Sequence, residues 1–337
     1  MPTDAAHRAP EPILDPDLPI CDPHHHLWHW PHPVSFGAQR YLADEFLADV
    51  GSGHAVESTV FVDANAFYRA DGPPALRPVG EVEFANGVAA MAANRRYGPT
   101  ALCAGIVGFA DLAAGGVVEE VLVAEIRAGG DRFRGVRNAA ASDPAIPQNR
   151  PGRWPDLYDR PEFREGFARL APLGLSFDAW IYHTQLDMLA RLADAFPGTA
   201  IVLDHVGGPL GIGPYAGRRE EVFRIWRAAV RDLAARSNVS VKLGGLGMGV
   251  FGFGFENQAT PASSEVLAAA WRPYVETCIE AFGVRRCMFE SNFPVDKITC
   301  DYRTLWNAFK RLAAGASAEE RSWLFRDSAR SFYRLKD

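Results

Sequence analysis

The chain has 337 residues, 48% of them apolar and eight of them tryptophan, which is enough for one large core or two ordinary ones and excludes a disordered or fibrous protein. Its net charge of −6, from 35 basic and 41 acidic residues, comes with no basic stripe, so nucleic acid is not expected as a partner. Five scattered cysteines without a Cys-x-x-Cys pair exclude a disulfide framework and a cysteine-bound zinc.

Residues 1–18 form a polar, proline-rich lead-in, and the first strand-like run is Ile20–His24. Seven more follow at Ser58–Asp63, Leu102–Phe109, Phe133–Asn138, Leu175–Ile181, Ala200–His205, Val239–Leu243 and Cys287–Asn292. Each is a compact apolar run without strong polar alternation, as parallel strands buried on both faces require. Helical patterns lie between them: Ala85–Tyr97, Val117–Ala128 before a Gly-Gly stop, Pro161–Leu173, Gln185–Phe196, Arg218–Arg236, Ser264–Phe282 and Tyr302–Ala314. A last helix starts at the Ser317-x-x-Glu320 capping box. Strand–helix alternation repeated about eight times predicts a single-domain (β/α)₈ TIM barrel over 19–337. A doubly wound sheet would carry a glycine-rich phosphate turn after its first strand, where this chain has histidines. Four long loops, Arg69–Glu81, Ala139–Arg160, Val206–Gly217 and Gly244–Pro261, follow strands and are expected to wall one pocket.

Polar residues at strand ends mark the candidate site. In Asp22-Pro-His24-His25-His26, strand alternation predicts His24 and His26 on one face, Asp22 below them and His25 turned away. Two imidazoles so placed can chelate one metal ion, or jointly hold a polarised carbonyl and a water. Strand four ends in Arg137-Asn138, strand five in Trp180-Ile-Tyr182-His183, and strand six in Asp204-His205. Strand seven carries Lys242 before Gly244-Gly245, and strand eight places Glu290 and Asn292 on one face. Asp204 is expected to point away from His205, and to pair outside the site. Buried ionisable groups cost several kcal/mol unless paired or bound to an ion, so many of them at one barrel mouth point to function rather than packing. The aromatic residues Trp28, Trp30 and Phe36 are expected either to line this pocket or to fill core. Phe251-Gly-Phe-Gly-Phe255 reads either as an aromatic lid or as a packed turn.

The segments Asp22-Pro-His24-His25-His26-Leu-Trp28, Leu203-Asp-His205-Val-Gly-Gly-Pro209 and Met288-Phe-Glu-Ser-Asn292-Phe-Pro294 resemble the signatures of the amidohydrolase-2 family. The branch they are most similar to holds sugar lactonases and 2-pyrone-4,6-dicarboxylate lactonase. The resemblance covers roughly residues 19–335, including a closing helix at Ser328–Leu335. It implies that His24, His26 and His205 bind a divalent metal, most simply zinc, with metal-free chemistry left open. The family's strand-eight aspartate falls on Asn292, whose amide cannot accept the proton of an attacking water. Glu290, in place of the usual glycine, is then expected to act as base or metal ligand, with Asn292 orienting water or substrate, or else to pair with Lys242 or an arginine deep in the barrel. Arg137, Tyr182 and His183 are expected to bind substrate, with Arg137 alternatively pairing with Asp63 and His183 alternatively beginning the helix that follows.

The implied activity is hydrolysis of a small cyclic ester or related carbonyl compound. Non-oxidative decarboxylation, amide hydrolysis and a non-catalytic binding barrel are the alternatives. Residues 1–19 lack a basic start with an apolar run, and no apolar stretch reaches membrane-spanning length, so a reduced cytoplasm without a membrane partner is expected. A small molecule is the expected partner, and a homo-oligomer is compatible with the sequence.

Overall fold

The computed structural model describes residues 10–31, 38–146 and 154–336. Eight parallel strands form one sheet: β1 Ile20–His25, β4 Val56–Val62, β5 Ala101–Gly108, β6 Phe133–Arg137, β7 Ser176–Ala179, β8 Ile201–Leu203, β9 Val239–Leu243 and β10 Cys287–Phe289. Each pairs with the next in chain order, as successive right-handed β–α–β crossovers require. The cylinder closes just beyond β10, where Asn292 N–H donates to His24 O (2.9 Å) and His26 N–H to Phe293 O (2.8 Å). This is the single-domain (β/α)₈ barrel that the alternation predicts. A two-stranded hairpin that the sequence did not signal, β2 Trp28–His29 with β3 Arg40–Tyr41, flanks the mouth.

The outer helices are α1 Ala43–Val50, α2 Val79–Ala93, α3 Glu119–Gly129, α4 Pro161–Phe167, α5 Leu186–Ala195, α6 Arg219–Leu233, α7 Ser264–Phe282 and α8 Tyr302–Leu312. Two short turns of helix, α9 Ala318–Ser322 and α10 Ser328–Phe332, end the chain. Helix α1 is too short for its periodicity to stand out. Helix α2 begins six residues earlier than its apolar pattern suggests and takes up the end of the loop Arg69–Glu81. Among the described residues no helix is long and apolar enough to cross a membrane.

Two apolar layers hold the barrel. The larger lies between strands and helices and includes Phe177, Leu203, Leu243 and Phe289 from the strands and the fully buried Trp226, Trp271 and Trp306 from the helices. The smaller fills the cylinder itself: Cys21, Val60, Val62, Val107, Val202 and Met288, stoppered by Ala329 and Tyr333 from the C-terminal end. The interior then changes character one pleat higher. Because side chains alternate with period two, Val202 is followed inward by Asp204, Met288 by Glu290 and Ser176 by Asp178. Apolar floor and ionisable mouth are therefore successive layers of the same strands.

Candidate active site

The floor of the site is a closed ion network. Lys242, with no solvent exposure, places Nζ 2.6 Å from Asp178 Oδ2 and 3.0 Å from Asp204 Oδ1. Tyr333 O–H donates to the same Asp178 oxygen at 2.6 Å, so the stopper of the barrel also braces its charges. Burial works against the Lys242 charge, but Asp178, Asp204 and Glu290 hold its pKa above the ordinary lysine value. Arg137 spans from this floor to the wall. Its Nε donates to Asp63 Oδ1 at 2.6 Å and its NH2 to Asp63 O, while NH1 reaches His24 Nε2 at 3.3 Å and Asp204 Oδ2 at 3.8 Å.

On this floor stand three histidines. The rings of His24 and His26 are 4.8 Å apart between centroids, and those of His24 and His205 are 4.6 Å apart. His26 Nδ1 lies 2.8 Å from Val62 O and must donate to it, since a carbonyl only accepts. His205 Nδ1 lies 2.7 Å from Glu290 Oε1, and Glu290 Oε2 lies 2.9 Å from His24 Nδ1. One carboxylate thus holds two rings by their inner nitrogens. Its position needs Gly244 and Gly245: a Cβ on Gly244 would meet Glu290 Cγ at 2.4 Å, and one on Gly245 would meet the His205 ring at 2.5 Å. Burial alone would raise the Glu290 carboxyl, but the His205 and His24 rings beside it hold it down, to about 2. Burial, reinforced by Lys242 and Arg137, lowers His24 and His26 well below the usual imidazole range, so both rings are neutral at neutral pH.

Neutral rings with Nδ1–H committed leave Nε2 lone pairs. Those of His24 and His26 are 3.2 Å apart and repel unless a donor or cation stands between them. Two nitrogen donors at tetrahedral zinc distances would lie about 3.3 Å apart. Lys242 Nζ also sits 3.0 Å from His24 Nδ1, which favours the other tautomer, with Nε2–H donating to His26. A bound cation would select the Nδ1–H form. The Nε2 atoms of His24 and His26 are therefore spaced for a divalent ion, and the His205 ring stands beside that of His24. A different set, the ligand atoms of His24, Asp204 and His205, lies within 4.8 Å of one another and does not include His26.

Above the histidines opens a cavity of about 1000 Å³. Its lining includes His26, His205, Asn292, Arg137 and Asp63, with Trp28, Trp180 and Tyr182 as aromatic walls. Three of the four long loops contribute to it; Arg69–Glu81 does not, and its place is taken by Asn65 and Tyr68. Phe251 is buried and Phe253 stacks on Phe255 at 5.7 Å, so the Phe-Gly repeat is a packed turn rather than a lid. Trp30 is absent from the described lining, and Phe36 lies outside the described residues.

Several expectations are corrected by this geometry. Glu290 is fully buried beneath the rings, away from the lining, and its two oxygens face ring nitrogens rather than the cavity. Arg137 lines the cavity, and its Nε and NH2 are taken by Asp63, the alternative expected for it, which leaves NH1 beside His24. His183 opens a short 3₁₀ turn, its Nδ1 accepting from Leu210 N–H at 3.4 Å and its ring against Tyr215, apart from the histidine cluster. Asp204 points inward, not away. Strand β8 stops at Leu203, Asp204 keeps the inward parity of Val202, and His205 turns in as well by adopting φ +53°. Asp22 is not below the histidines: a register shift between Asp22 and His25 lets Cys21 and His24 both face inward. Asp22 instead accepts from Ser291 N–H (2.9 Å) and Tyr302 O–H (3.0 Å) on the outer face. His25 is turned away as expected, stacked on Phe46 at 4.1 Å.

A family model described as amidohydrolase matches residues 21–335. The chain belongs to the amidohydrolase-2 family. Among curated relatives, this amidohydrolase is 36% identical to the uncharacterised protein y4mH of Sinorhizobium fredii, over 95% of this chain and 99% of that one. It is 26% identical to an L-fucono-1,5-lactonase of Burkholderia multivorans, over 94% of this chain and 96% of the relative. Among solved structures, it resembles a zinc-bound amidohydrolase from Burkholderia multivorans with a TM-score of 0.73 and 25% identity, over 94% of this chain and 99% of that one. Family membership makes this amidohydrolase a hydrolase.

A further buried acid of this amidohydrolase, Glu81, left no signal in the sequence pattern. Glu81 Oε1 accepts from Ala64 N–H and Ala66 N–H (both 2.9 Å), shaping the segment that carries Asp63, Asn65 and Tyr68 into the cavity. Burial, then the neighbouring Asp63, pushes the Glu81 carboxyl up to about 8. A carboxyl raised in the fold stabilises fully below its unfolded value near 4.5 and loses that contribution as pH rises through about 8. Glu81→Gln keeps the accepting oxygen and cannot ionise. Its melting temperature is therefore expected to gain on the parent protein between pH 5 and pH 9 in thermal melts. A constant difference over that range would show that Glu81 does not titrate there.

Proposed function

We propose that the protein hydrolyses a small cyclic ester, with the lactone carbonyl held over the His24–His26–His205 cluster. The observation that carries this reading is the His205–Glu290 pair at 2.7 Å, which fixes the ring with Nδ1–H inward and leaves Nε2 as its basic nitrogen. In this reading Glu290 serves as a positioning residue, too acidic and too deeply placed to take the proton of water itself. His205 Nε2 takes one proton from water as the water oxygen attacks the carbonyl carbon. It returns that proton to the ring oxygen as the acyl–oxygen bond breaks, and the product is the open hydroxy acid. Asn292 orients the water, and Trp28, Trp180 and Tyr182 enclose the ring.

His24 and His26 would hold a divalent ion beside the His205 base, with Glu290 and Val62 O anchoring their two rings from behind. Such an ion supplies Lewis acidity, polarising a carbonyl and acidifying water. The zinc-bound structure and the fuconolactonase among the similar proteins support both parts of the proposal. Calorimetric zinc titration distinguishes the roles. A His24→Asn/His26→Asn variant is expected to lose zinc affinity altogether, whereas Glu290→Gln is expected to weaken it about 10- to 100-fold. Total loss in Glu290→Gln would instead mark Glu290 as a ligand.

The activity test is a panel of aldonolactones and carboxylated pyrone lactones followed by acid release, with aromatic carboxylic acids followed by carbon dioxide release. Acid release from a lactone is expected. Carbon dioxide without acid release would overturn the hydrolytic reading in favour of decarboxylation.

A further inference from the structure

Asn292 stands where the family's strand-eight aspartate would fall, and an amide can face the cavity in two ways that differ in chemistry. With oxygen outward it accepts a hydrogen bond from water, much as a carboxylate would. With NH₂ outward it can only donate. The structure contains a group that decides between them. Asp296, four residues on and almost fully buried, accepts from Asn292 Nδ2 through Oδ1 at 2.8 Å. Its other oxygen, Oδ2, accepts from Gly247 N–H at 2.9 Å.

The backbone fixes this pair in place. Asn292 N–H is committed to His24 O in the barrel closure, and Asp296 N–H donates back to Asn292 O at 3.2 Å. Thr299 N–H donates to Asp296 O at 2.9 Å, and Thr299 Oγ1 to Gly247 O at 2.7 Å. Gly247 admits the carboxylate closely, since a Cβ there would lie 2.9 Å from Asp296 Oδ2. Asp296 thus meets two N–H donors, one on each oxygen, and lies outside the described lining that Asn292 itself joins. Burial pushes the Asp296 carboxyl up to about 7, yet both oxygens present lone pairs, not a proton, to these donors.

We infer that Asp296 is a positioning residue that locks the Asn292 amide with its carbonyl oxygen toward the cavity, giving the site a neutral acceptor for the attacking water in place of the family's carboxylate. The inference rests on the hydrolytic reading above for its consequence, but not for its geometry. The lock has a definite logic. If position 296 carried an amide, Gly247 N–H would claim the new oxygen, and the new NH₂ would face Asn292. Asn292 would then have to rotate by half a turn to accept, sending its own NH₂ into the cavity. The alternative, NH₂ against Gly247 N–H, buries a donor against a donor.

The test is Asp296→Asn, alone and with Asn292→Asp, on the lactone that the parent protein turns over best. The single variant is expected to lower kcat about 10- to 100-fold with KM within about twofold, since it removes one oriented acceptor. The double variant is expected to recover most of the loss, because a carboxylate at 292 accepts from the amide at 296 with one oxygen and faces the cavity with the other. A merely structural role for Asp296 would give matching losses of melting temperature and activity and no recovery. Wild-type kcat in Asp296→Asn, or no recovery in the double variant, overturns the inference. Neutron diffraction from deuterated crystals reads the amide directly, whatever the substrate proves to be. Oxygen outward in the parent and NH₂ outward in Asp296→Asn are expected, and an unturned amide refutes the lock even if lactonase activity is confirmed. Absence of any lactone turnover alongside the expected amide reversal would refute the hydrolytic reading alone.

Discussion

His205→Asn is expected to fold like the parent and to lose about 10²- to 10⁴-fold in kcat on a lactone substrate, the range associated with removing a general base. Asparagine is the right replacement because position 205 sits at φ +53°, which asparagine tolerates far better than most residues. The main chain is further held by His205 N–H donating to Glu290 Oε1 at 3.1 Å, a bond the substitution leaves intact. Glu290→Gln is expected to cost a similar factor by a different route: the side chain still fills its space, but the anion that supports a charged His205 ring is gone. If Glu290 acts through His205, the double variant loses no more than the worse single one. Multiplied losses would instead show Glu290 abstracting the proton independently. Steady-state kinetics on the three variants, with thermal melts as a control for folding, decides this.

The barrel was legible because its signal is redundant: eight apolar runs with helices between them leave few alternatives even when several boundaries shift. Helix α2 shifted by six residues and β10 lost its last three without changing the topology. The histidines were legible for a local reason, since polar residues that end apolar strands must face either the mouth or a partner. What failed were inferences from unbroken alternation. A register shift inside Asp22–His25 moved Asp22 to the outer face, and the positive φ of His205 let two adjacent residues, Asp204 and His205, point into the same space. Neither event leaves a mark in the one-dimensional pattern. Glu290 was legible only in part. Parity placed it inside correctly, but its depth relative to the imidazoles depends on the room that Gly244 and Gly245 leave above it, which is a packing property. The Asn292–Asp296 pair was invisible because its partner, Gly247, comes from another loop.

Lys242→Met is expected to cost about 3–5 kcal/mol in unfolding free energy, the range for breaking a buried ion pair by removing one member. Methionine fills similar volume, so little of this loss comes from a cavity. The cost comes from Asp178 and Asp204, both fully buried, left without the cation at 2.6 and 3.0 Å. Its pH dependence follows from the carboxyls. Burial already pushes Asp178 up to about 6 despite Lys242, so without the cation its pKa in the fold climbs further above the unfolded value. A raised carboxyl stabilises at low pH and loses that contribution as pH rises through the folded pKa. The deficit of Lys242→Met is therefore expected to be larger at pH 8 than at pH 5 in urea titrations. Adding Asp178→Asn should restore part of it at pH 8, because one of the two stranded charges is then gone while the hydrogen bond from Tyr333 can persist. A deficit independent of pH would mean that the lysine contributes through packing of its stem rather than through its charge.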